Sequence, residues 1–151
     1  PCEQGSGDWH ERGRGRYGRG VKRALLWINF VLAILVVVGV FVQVYLIASY
    51  FFGAGSGALD AHEDLGGTVH IVEVLVFLSA IGAYWKRWGE IGLSFALAVI
   101  GSVQLGLADG DEWVGGLHGV FALVVLILAA IITHRAMREL GIGRRPAPGA
   151  G

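Results

Sequence analysis

The chain has 151 residues, 54% of them hydrophobic and 16% charged, with twelve basic and twelve acidic side chains and no formal net charge. Its mean hydropathy of +0.61 exceeds what a water-soluble domain of one core can accommodate, because such a domain needs a largely polar surface. A single cysteine, Cys2, excludes an intrachain disulfide framework.

The first segment, "CEQGSGDWHERGRGRYGRG", is rich in glycine and arginine. It reads as a disordered basic tail over residues 1–20, because too few apolar side chains are present to offset the entropy of ordering. Nucleic acid is not the expected partner; a basic tail beside a membrane follows from topology alone.

Four apolar runs follow: Ala24–Phe52, Leu65–Trp85, Ile91–Ala108 and Trp113–Thr133. About 20 residues of helix cross a bilayer core of about 30 Å, so each run is a candidate span, the first over-long and expected to tilt or project. The apolar region of a signal peptide is shorter than any of them. The expected fold is an all-α membrane protein, an antiparallel up-down bundle of four transmembrane helices over residues 21–138, with residues 139–151 as a C-terminal tail.

Basic side chains set the expected orientation. Arg12, Arg14, Arg16, Arg19, Lys22 and Arg23 precede the first run, Lys86 and Arg87 join the second to the third, and Arg135, Arg138, Arg144 and Arg145 follow the fourth. The other connections carry only acids: Asp60, Glu63 and Asp64, then Asp109, Asp111 and Glu112. The positive-inside rule places both termini in the cytoplasm of a bacterial plasma membrane. Trp27, Trp85 and Trp88 mark the inner interface and Trp113 the outer one.

The chemistry lies in the second and fourth runs. "GGTVHIVEVLVFLSAIGAYWKR" buries His70 and Glu73 among aliphatic residues. At about 100° per residue, His62, Gly66, His70 and Glu73 share one side of the helix, which should face the bundle interior. "WVGGLHGVFALVVLILAA" sets His118 among Gly115, Gly116 and Gly119, and such small residues admit a neighbouring helix or a flat ligand close to the backbone. Counted from the start of the apolar runs, His70 and His118 lie at matching depth, about 7.5 Å in, whereas His62 lies outside that boundary. A tilted helix would bring His62 to His118 instead, so the partner of His118 is either His70 or His62. His134, at the opposite end, is expected at the interface.

Two axial imidazoles with glycine beside them suit a haem iron. Structural zinc wants four ligands, and a di-iron bundle wants carboxylates from every helix; the interiors of the first and third runs offer none. His118, His70 and His62 are therefore the candidate axial ligands, with Gly66, Gly115 and Gly119 as candidate porphyrin contacts. Gln43 and Gln104 are candidate hydrogen-bond donors at similar depth.

The segments "DAHEDLGGTVHIVEVLVFL" and "GGLHGVFALVVLILAAIITHRAMREL" resemble short bacterial four-span membrane proteins of unknown function, and beyond them four-helix membrane haem b proteins and the half-domains of haem A synthase. The resemblance covers about Asp60 to Arg138. It implies one haem b near the outer face, held by His62 and His118, and electron transfer to or from a larger membrane complex, with quinone a candidate partner. The chain lacks an inner histidine pair for a second haem. The competing expectation is a haem-free accessory subunit of a larger membrane complex or a homo-oligomer. Enzymatic activity is the least supported class, since no nucleophile constellation or phosphate loop is present.

Overall fold

The computed structural model describes residues 8–108 and 110–143; the side chains of residues 8–17 and of Glu112 also lie outside the description. The chain forms α1 (Asp8–Phe51), α2 (Ser56–Ala83), α3 (Trp88–Ala108) and α4 (Glu112–Leu140). All four are long and apolar enough to cross a membrane. Helix α1 takes in residues 8–20 of the segment read from sequence as a tail. Lengthening an existing helix adds a hydrogen bond per residue with no new nucleation cost, so the strong apolar span carries a glycine-rich lead. Cys2 and the last residues of the C-terminal tail, 144–151, lie outside the described residues.

The connections are short. The α1–α2 turn places Gly53 and Gly55 at φ 93° and 83°, a region costly for any side chain with a Cβ. Helix α4 ends at Gly141, φ 76°, whose N–H caps the Arg138 and Met137 carbonyls, and the Ile142 N–H reaches the Met137 carbonyl at 3.1 Å. This left-handed glycine stop satisfies carbonyls that the helix itself cannot.

Each helix packs on its sequence neighbours, and α4 returns to α1, so the four form a closed ring with α2 and α4 across one diagonal. Small residues set the α1–α2 approach. A Cβ on Gly39 would come within 2.6 Å of Val69, and one on Gly82 within 2.5 Å of Leu25. Asn29, fully buried on α1, donates from Nδ2 to the Val76 carbonyl at 2.9 Å and to Ser79 Oγ at 3.1 Å. The shared core holds Ala33, Val36, Val40, Val69, Val76, Leu97, Val125, Ala129 and Ile132. Outward-facing positions are large and apolar, among them Ile28, Val31, Leu35, Ile71, Leu78, Val120 and Leu123. A helix apolar on all sides belongs in lipid.

The two ends of the bundle differ. Where α2 meets α3, Arg87 bonds Glu139 at 2.7 Å and Glu90 at 3.3 Å, and Arg135 bonds Glu90 at 3.2 Å, tying the turn to α4. The Glu139 bond pushes the Arg87 guanidinium further up from its ordinary range. At the other end the interior is less tightly filled. Among the described residues, buried positions stop at Val40 on α1 and Gly101 on α3, and begin only at Val69 on α2 and Val125 on α4.

Candidate functional site

The less tightly filled end holds the histidines of α2 and α4. His62 stands six residues after Ser56, the first residue of α2, and His118 six residues after Glu112, the first of α4. Equal offsets on helices across the diagonal bring the two rings together, with centroids 6.2 Å apart and planes at 67°.

Each ring is anchored through Nδ1 in the same way. His62 Nδ1 lies 3.1 Å from the Gln43 carbonyl of α1, and His118 Nδ1 lies 3.1 Å from the Gln104 carbonyl of α3. A carbonyl only accepts, so Nδ1 carries the hydrogen in both rings and the Nε2 lone pair is left available. Metal-ligating histidines are oriented by this same kind of bond from the second nitrogen. Among the described residues, neither Nε2 has a protein hydrogen-bond partner. Both carbonyls lie within helices, and the second lone pair of each is able to accept the ring N–H; the side-chain amides are not the groups used. Both amide oxygens, Gln43 Oε1 and Gln104 Oε1, are buried without a hydrogen-bond partner.

The candidate glycines have separate surroundings. A Cβ on Gly66 would meet Gln43 Nε2 at 3.0 Å, so this glycine lets the amide lie against α2. Gly115 faces the Gly110 carbonyl, and Gly116 and Gly119 face open space. Gly116 and Gly119 are exposed on the outside of the bundle, whereas Gly115, one turn before His118, is partly buried as His118 is.

His70 is placed elsewhere, in contact with α3. Its Nδ1 lies 3.1 Å from Glu73 Oε2, and Ser102 Oγ lies 3.4 Å from its Nε2 while donating to the Ala98 carbonyl at 2.9 Å. The Glu73 carboxyl is only 3% exposed, against 21% for His70. Gly101 makes this burial feasible: a Cβ there would collide with the Glu73 carboxyl. His70 and Glu73 thus answer each other, one turn apart on α2, with a glycine of α3 as the floor. Phe77, further along that side, meets Phe95 of α3 with centroids 5.3 Å apart.

The structure joins His62 to His118 and His70 to Glu73, and leaves His134 exposed at the far end. Sequence reasoning did not single out Asn29, Gly101 or Ser102. A lone asparagine in an apolar run was a usable signal for the first; the others acquire meaning only from the α2–α3 register. Among the described residues no group of three or more His, Cys, Asp or Glu side chains is arranged for a metal ion. The chemistry available at the open end is that of two neighbouring imidazoles, each held through Nδ1 with its Nε2 uncommitted. Comparison of the chain with family models, curated proteins and solved structures finds no match.

Proposed function

We propose that the chain is a membrane cytochrome of the b type, with His62 and His118 the axial ligands of one haem near the outer face. The observation that carries this reading is the imidazole pair. The ring centroids of His62 and His118 are 6.2 Å apart, a separation at which the two imidazoles would together hold the iron of one haem. The donor set fits in other respects. Both rings carry the ligand tautomer, both are held by second-nitrogen bonds, and the buried, unpartnered amide oxygens of Gln43 and Gln104 are hydrogen-bond acceptors at the same level.

Bound there, haem supplies one-electron transfer. The chain's own work is to hold both ligands in one tautomer and to keep the iron's surroundings apolar, which controls its potential. His70 is engaged with Glu73 and Ser102 and is left out of the ligand set in this reading.

The proposed arrangement in the membrane is up-down, with both termini on the cytoplasmic side of a bacterial plasma membrane. Pairings support it: Gln43 with His62 and Leu25 with Gly82, then His70 with Ser102 and Phe77 with Phe95. The lower-numbered partner of each helix meets the higher-numbered one of the next. Electrons would be exchanged with a larger membrane complex or with quinone.

The test is a pyridine haemochrome assay on protein purified from haem-replete cells. One protohaem per chain is expected. A folded, pure chain without haem would instead favour the accessory-subunit reading.

A further inference from the structure

We propose that the groove between α1 and α4, at the end away from the histidine pair, binds the phosphate headgroup of an anionic phospholipid. This inference does not depend on the haem reading. The groove is a cavity of about 260 Å³ lined by Arg19, Lys22, Arg23 and Leu26 of α1 with Glu139 and Leu140 of α4.

Spacing puts the three cations together. Positions 19, 22 and 23 are related by three and four residues, the separations that share a helix face. The wall opposite them contributes one carboxylate, Glu139, and that group is already bonded to Arg87 at 2.7 Å. Glu90, another acid at this end, is held by Arg87 and Arg135. The ion network therefore consumes the acids and leaves a positive groove beside it.

Depth distinguishes a lipid from a soluble anion. Trp27, half-exposed, lies one residue beyond Leu26, and Trp85 and Trp88 are exposed at the same end of the bundle. Such tryptophans stand at the headgroup level. Leu26 lines the groove on the span side of the cations, and α1 is apolar from Ala24 onward. A phosphate at the level of the cations and tryptophans, with its acyl chains directed toward the apolar span, matches that order. Basic pockets between spanning helices on the positive side are recognised as lipid-headgroup sites.

The experiment is native mass spectrometry of the full chain released from nanodiscs of equal phosphatidylglycerol and phosphatidylcholine. Preferential retention of phosphatidylglycerol is expected. Lys22→Gln and Arg23→Gln should each reduce the preference about fivefold, while Arg138→Gln, at the same end but outside the groove, should leave it unchanged. Helical content by circular dichroism confirms that each variant folds. Equal retention of the two lipids would overturn the proposal. So would an equal loss in Arg138→Gln, which would indicate a diffuse surface charge. Displacement of phosphatidylglycerol by millimolar inorganic phosphate would identify a free-anion site and also overturn it.

Discussion

Glu73 shows what a single buried residue demands of its surroundings. A carboxyl in an apolar span is costly unless it is bonded, and this one has His70 on its own helix and Gly101 on the next. Gly101→Ala should therefore be disproportionately harmful. We expect thermal unfolding in detergent to report a loss of about 1–3 kcal/mol, the range for overpacking a tight contact. In a Glu73→Ala background the same substitution should cost less, because the colliding carboxyl is gone and only His70 Nδ1, 3.1 Å from the added Cβ, stays close. That non-additivity is the signature of direct contact; equal costs in both backgrounds would show that Gly101 matters for another reason. The His70–Glu73 pair was half legible in the sequence. The spacing of three residues put them on one side of a helix, but the floor beneath them belongs to α3 and no pattern within α2 points to it.

Between helices, close approach depends on small residues and one buried amide. Gly39 and Gly82 admit Val69 and Leu25, and Asn29 bridges to the Val76 carbonyl and Ser79. Hydrogen bonds between helices in a membrane are worth about 0.6 kcal/mol on average and at most about 1.7. Asn29→Leu should lower stability by an amount in that range, while Gly39→Leu should cost more by pushing α1 off α2. Reversible unfolding in mixed micelles can rank the two, and a larger loss for Asn29→Leu would contradict the packing account. Helix identity was plain from the apolar runs; helix starts were not. Depth counted from Leu65 and Trp113 favours His70 against His118, yet α2 begins at Ser56. The polar first turns of α2, with Asp60, Glu63 and Asp64, hide the helix start from a hydropathy count. Counted from the helices themselves, His62 and His118 match.

For the molecule as a whole, the twelve cations and the closed ring of helices make one orientation the expected one. In a Cys2→Ser background, Ser56→Cys should react with a membrane-impermeant maleimide in intact spheroplasts, and Lys86→Cys only after lysis. The reverse pattern would invert the topology. The same asymmetry separates two regions of the bundle. One end is closed by the Arg87, Glu90, Arg135 and Glu139 network; the other holds two imidazoles anchored alike by α1 and α3. That likeness relates the α1–α2 pair to the α3–α4 pair, although no repeat is evident along the chain. The two halves share a role for one histidine and one glutamine rather than a run of matching residues.

The proposed ligand assignment is that His62 and His118, and not His70, hold one haem. It is tested most directly by reduced-minus-oxidised absorption spectra of the purified protein and of His62→Ala, His118→Ala and His70→Ala. A sharp low-spin b-type α-band should be present in the parent, disappear in the first two variants and persist in the third. A band that survives His62→Ala but vanishes in His70→Ala would contradict the ligand assignment, and a featureless spectrum from the haem-replete parent would contradict the cytochrome itself.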